Sequence, residues 1–151
     1  HTGTVLYNLL NILKDESLGD DLKHDLENAI NKGANYYINA FFNLKSGKAK
    51  TLIGYRRPAG PVQYAEAILA FCEYITTEKF DGTDLKLKIR LLLPKAVNQL
   101  ISLINFKNGS VPSDKVICWM NIDSIRWGNG PALQAIMSYL SIYDDVYGEK
   151  L

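Results

Sequence analysis

Cysteine and histidine are both scarce in this chain of 151 residues, at two apiece. Cys72, Cys118, His1 and His24 lie far apart, and no Cys/His/Asp/Glu set shows metal-ligand spacing. That removes the patterns of a zinc cluster and of a Cys/His nucleophile pair, so neither a metal nor a cofactor is expected. A Gly-rich phosphate loop and a Gly-x-Ser-x-Gly elbow are lacking as well. So is an excess of charge: the net value is +1, which leaves no electrostatic footprint for nucleic acid. No apolar run approaches the roughly 20 residues of a membrane span. No charged-then-apolar leader opens the chain. Two cysteines this far apart, one inside an apolar helix, read as buried free thiols of a reducing compartment, which places the protein in the cytoplasm. The chain opens with His1 rather than Met. It reads as one helical-hairpin domain over residues 1–151, the C-terminal fragment of a longer protein.

What is present is helical periodicity of two kinds. Gly3–Leu13 and Pro131–Tyr143 carry no Asp, Glu, Lys or Arg, and Pro61–Ile75 carries only Glu66 and Glu73. A helix apolar all round must be covered on more than one side. Between these lie two one-sided segments. The first starts at Asp20-Asp21 and runs to about Phe42, with Leu22, Leu26, Ala29, Ile30, Gly33, Tyr37, Ala40 and Phe41 on its stripe and Lys23, Asp25, Glu27 and Lys32 opposite. The second spans about Asp84–Asn105, with Leu85, Ile89, Leu92, Leu93, Ala96 and Leu100 on its stripe and Pro94 as a kink or a true start. Asn108-Gly109 signals a tight turn, and Val116–Met120 reads as a strand, so a short β-hairpin is expected near 106–120. Two helices open on Gly-Pro, at Gly60-Pro61 and Gly130-Pro131. The alternation predicts an all-α fold of about five helices in two layers, inner ones wrapped by outer ones, as in part of an α/α toroid.

In such an array the inner helices run parallel, so the loops before them meet at one rim. Those loops hold His1-Thr2-Gly3, Tyr55-Arg56-Arg57-Pro58 and Asp123-Ser124-Ile125-Arg126-Trp127-Gly128-Asn129. Aromatic faces stack on pyranose rings and Arg pairs with carboxylates, so His1, Tyr55, Arg56, Arg57, Arg126, Trp127 and Asn129 are candidate sugar-binding residues. Asp123 and Glu66 are the candidate acid/base groups. Each has a structural alternative: Trp127 plugging the core, Arg126 pairing with Asp123, Glu66 as a buried hydrogen-bonded carboxylate. Tyr36-Tyr37 and Phe41-Phe42 read as core.

At these residues the chain resembles a known family. His1-Thr2-Gly3-Thr4-Val5-Leu6 is similar to the His-Thr-Gly-Phe-Val-Leu stretch of bacterial polysaccharide biosynthesis proteins, relatives of the six-hairpin α/α-toroid glycosidases. Ala29–Tyr37 with Phe41-Phe42 resembles that family's next helix, and Ile125-Arg126-Trp127-Gly128-Asn129 its Met-Arg-Trp-Gly-Gln segment. The resemblance implies a carbohydrate-binding or carbohydrate-processing domain in capsular or exopolysaccharide synthesis. It also implies a sugar or polysaccharide intermediate as partner, and a partner domain that completes the toroid. One stretch departs from it. Where that family carries Tyr-Pro-x-Asp-x-His-Ser, the chain reads Arg57-Pro58-Ala59-Gly60-Pro61-Val62-Gln63, with Gly60 and Val62 in the Asp and His places. Loss of those groups points to binding without turnover. The competing expectation is a non-catalytic helical interaction module within a larger biosynthetic protein.

Overall fold

The computed structural model describes residues 1–50, 59–104, 112–117, 120–123 and 129–148, the two strand segments by backbone alone. Its described part is all-α. Helix α1 covers Thr2–Leu13, α2 Asp20–Phe41, α3 Pro61–Thr76, α4 Asp84–Ser102 and α5 Gly130–Tyr147. A single 3₁₀ turn at Glu78–Phe80 joins α3 to α4, and a short antiparallel ladder pairs β1 (Pro112–Ile117) with β2 (Met120–Asp123).

Local chemistry sets the helix ends. Pro61 occupies the first turn of α3, where its missing N–H removes no helical bond. The Gln63 side chain reaches back and accepts from the Gly60 N–H at 2.8 Å. Thr83 caps α4 by accepting from the Lys86 N–H at 3.1 Å. Pro94 lies within α4, which continues on both sides of it to Ser102.

Helix α3 is the centre. Tyr64, Ala65, Ala67, Ile68, Ala70, Phe71, Cys72, Tyr74 and Ile75 are all buried, so α3 is covered over most of its circumference, and only the stripe of Val62, Glu66, Leu69 and Glu73 is part-exposed. Helices α1 and α5 pack on its two flanks and α4 behind it. Small residues suit close packing of the two helices: Ala132 and Ala135 are buried on α5, and Ala65, Ala67 and Ala70 are buried on α3. On the other flank Gly3 permits the contact. A Cβ built there would sit 2.8 Å from the Glu66 carbonyl carbon, so only glycine lets α1 come this close to the α3 backbone.

Helix directions follow from paired residues. His1 lies beside Glu66 and Lys14 is ion-paired with Glu73, so α1 runs with α3. Ile75 and Val146 line one groove, so α5 does too. Helix α2 runs back along α3: Lys79 meets Glu27, Tyr74 is hydrogen-bonded to Asn31, and Phe42 packs on Tyr64. Helix α4 also runs back, with Lys95 Nζ donating to the Leu44 carbonyl at 2.8 Å.

Two expectations from the sequence need correction. On α2 the buried stripe is Ile30, Ala34, Tyr37 and Ile38, while Leu22 and Ala29 are exposed. Leu26 on the expected stripe packs against the edge of the core, so the buried face of α2 begins there rather than at Leu22. Helices α1 and α5, uncharged all round, are covered on one side only. Val5 and Ile12 on α1, and Leu133, Met137 and Leu140 on α5, stand in solvent.

Candidate functional site

The N-terminal ends of α1 and α3 and the C-terminal end of α2 come together around a pocket of about 110 Å³. His1 and Thr2 form one lip, Gln63 and Glu66 the floor, Tyr37, Phe41 and Phe42 the apolar wall. Ala49 and Lys50 close the remaining side.

That last side comes from a tightly laced loop. Asn43 accepts from the Lys45 and Ser46 N–H groups at 3.0 and 3.1 Å, and its own N–H donates to the Lys48 carbonyl at 2.8 Å. Gly47 takes φ +72° against the Lys95 backbone, a conformation and a closeness that both exclude a side chain. The Lys50 N–H donates to the Phe41 carbonyl at 2.9 Å, which returns the chain to the end of α2. Tyr64, buried on α3, accepts from the Ala49 N–H at 2.9 Å and fixes the loop from below. The pocket wall is therefore held by hydrogen bonds before any ligand arrives.

Glu66 is the acidic group of the site. Its side chain is 20% exposed, and its Oε2 lies 3.6 Å from the His1 nitrogen. Gln63 has committed its oxygen to Gly60, which leaves its amide N–H groups as donors. Tyr37 is 6% exposed, and its hydroxyl makes no hydrogen bond among the described residues. Burial, with the Glu66 carboxylate nearby, pushes its phenol above the usual tyrosine range, so it is a donor at every physiological pH. Its ring is held by Phe41, Phe42 and Phe71, with centroids at 5.4, 5.5 and 6.0 Å.

At the opposite end of the helices lies a larger groove of about 460 Å³, between the end of α3, the start of α4 and the end of α5. Its cations are already engaged. Lys86 is paired with Asp81 and donates to the Thr77 carbonyl at 3.1 Å. Arg90 donates to the Val146 carbonyl and lies 5.7 Å from the centre of the Tyr147 ring. Tyr147 Oη donates to the Arg90 carbonyl at 2.7 Å, so this end is a clamp that holds α5 to α4.

Of the candidates read from the sequence, the structure brings together His1 and Glu66. Asn129 stands half-buried at the start of α5. Tyr55, Arg56, Arg57, Arg126 and Trp127 lie outside the described residues, as do Cys118 and the Asn108-Gly109 turn. Asp123 is described by backbone only, as the last residue of β2. Tyr37, Phe41, Gln63 and Lys50 were not singled out as site residues by the sequence. The aromatic doublets carried the only signal, and it is the same signal a core residue gives. Among the described residues no helix is long and apolar enough to cross a membrane, and no three acidic, His or Cys side chains form a metal-holding group. No protein-family model, curated protein or solved structure matches the chain.

Proposed function

We propose that this chain is a sugar-binding section of an α/α toroid, serving the assembly of a cell-surface polysaccharide in the cytoplasm. The carrying observation is the parallel course of α1, α3 and α5, which puts their starts at one end, where His1, Glu66 and the Tyr37/Phe42 wall surround a preformed pocket. Helices α2 and α4 then form the outer layer. The resemblance of the rim segments to polysaccharide biosynthesis proteins supports the same reading, and a buried Cys72 thiol suits a reducing compartment.

Binding without turnover fits the chemistry at this pocket. Hydrolysis of a glycosidic bond uses two carboxyl groups that flank it. Among the described residues Glu66 is the one carboxylate that lines the pocket. The test is calorimetric titration of the purified protein with amino-sugar and uronic-acid oligosaccharides, beside assays for hydrolysis, elimination and epimerisation. Saturable binding with no product supports the reading. Turnover that disappears in Glu66→Gln makes the domain an enzyme instead.

One observation favours a second reading, a helical interaction module. Leu133, Met137 and Leu140 on α5 and Leu87 and Leu91 on α4 form exposed apolar rows on two helices that touch each other. A partner domain that completes the toroid would cover the same rows, so failure of every sugar to bind puts this second reading in front.

A further inference from the structure

Resting on the sugar-binding reading, we infer that the Tyr37–Glu66 pocket selects an acetamido group, so that the ligand is a 2-acetamido sugar rather than a uronic acid. Three features carry the inference, and each matches one part of that group.

The Tyr37 hydroxyl is a buried donor without a partner among the described residues. Leaving a buried polar group unpaired is costly, so a position that keeps one is a position where something else binds. An acetamido carbonyl supplies the missing acceptor. Glu66 lines the same pocket and accepts hydrogen bonds only, which suits the acetamido N–H. Phe41 and Phe42 line the same pocket and offer an apolar surface for a methyl group. Donor, acceptor and apolar wall thus meet a carbonyl, an N–H and a methyl.

Size points the same way. At about 110 Å³ the pocket is well below the roughly 300 Å³ and more of sites that enclose a whole ligand, so it takes part of a sugar. The ring itself would lie outside, across the lip at His1 and Thr2. Charge argues against the acidic alternative. At the Glu66 end of the pocket a uronic carboxylate would meet a like charge while an acetamido N–H would meet an acceptor, and Lys50 in the same lining offsets only part of that repulsion.

The experiment is calorimetric titration of the whole chain with three matched tetrasaccharides: N-acetylglucosamine, glucose and glucuronic acid. The expected result is tightest binding of the acetamido series, by about tenfold over glucose, one good hydrogen bond and a buried methyl being worth that much. Tyr37→Phe keeps the ring and its packing, so it is expected to erase most of that preference. Its melting temperature is expected to stay equal to or above the parent's, because the variant no longer buries an unpaired hydroxyl. A fall in melting temperature with the preference intact shows that the hydroxyl serves the fold, and the inference is then wrong. Equal binding of all three sugars overturns the inference and leaves the sugar-binding reading standing. Binding of none removes both.

Discussion

Helices α3 and α5 begin alike and end differently. Both open on Gly-Pro, both are almost free of charge, and both run the same way. Yet α3 is buried over most of its circumference, while α5 buries Ala132, Ala135 and Tyr139 and leaves Leu133, Met137 and Leu140 at 63, 59 and 57% exposure. The difference is one of neighbours. Helix α3 has α1, α4 and α5 around it, whereas α5 has α3 on one side and touches α4. An all-round apolar helix reports the number of surfaces that must be covered; the pattern is silent on whether the cover comes from the same chain.

The sharpest way to break the comparison is to truncate one core side chain on each helix. Phe71 is buried against Tyr37 and Phe42 with ring centroids at 6.0 and 5.5 Å, so Phe71→Ala opens a cavity at the centre of the fold. It is expected to lose about 3–5 kcal/mol of stability by urea denaturation. Met137→Ala on α5 is expected to lose under about 0.5 kcal/mol in the isolated chain. Similar losses for the two would show that α5 is covered in solution.

Next in size is the flank shared by α1 and α3. Gly3→Val places a branched side chain where a single Cβ already meets the Glu66 carbonyl carbon at 2.8 Å. The neighbour is backbone, so α1 must move. A loss of about 1–3 kcal/mol is expected, together with weaker sugar binding, because His1 and Thr2 ride on the same turn. Full stability in this variant would mean that α1 packs on α3 less closely than described.

The sequence disclosed the helices well and their cover poorly, for one physical reason. Periodicity and Gly-Pro starts are local, so the five helices were legible to within a few residues at most ends. Burial is a property of neighbours. Leu22 and Ala29 continue the apolar stripe of α2 but stand exposed, and Ala34 and Ile38, off the expected stripe, are buried. The pocket residues were legible in part. His1 and Glu66, both named from the sequence, line one pocket, but Tyr37 and Phe41 in the same lining read as core because burial and ligand contact select the same residue types. A hydroxyl left without a partner is visible only once the surrounding side chains are placed.

Alkaline pH offers a smaller effect that tests how well the core around α3 is sealed. Burial, then the neighbouring Glu73 carboxylate, push the Cys72 thiol on α3 from its ordinary 9.0 up to about 12. Burial raises the Tyr74 phenol from 10.0 to about 12 in the same way. In the folded state these groups keep their protons above pH 9 and 10, whereas the unfolded chain releases them. The unfolded state therefore binds fewer protons there, and stability falls as pH rises. The loss starts near 9 and ends near 12, with no contribution below 9. Each pH unit inside that window costs up to about 1.4 kcal/mol per group. Urea midpoints taken at about pH 8 and about pH 10.5 should differ, and Cys72→Ala should reduce the difference. An unchanged slope in that variant would place the thiol in contact with water.

The smallest effect on stability tests the exposed face itself. Leu133, Met137 and Leu140 recur at the spacing of one helical face, opposite the Ala132–Ala135–Tyr139 face that packs on α3. Replacing Met137 and Leu140 together by Gln removes apolar surface that is exposed among the described residues. Each change is therefore expected to alter stability by less than about 0.5 kcal/mol. Sugar binding should also stay the same, because these residues lie away from the pocket at the starts of α1 and α3. What should change is association. An uncovered apolar face of this kind promotes self-association, so the parent should show concentration-dependent sedimentation that the double variant lacks. Loss of stability by several kcal/mol in the dilute variant would mean that the face is already packed. Helix α5 would then resemble α3 in its cover as it does in its sequence.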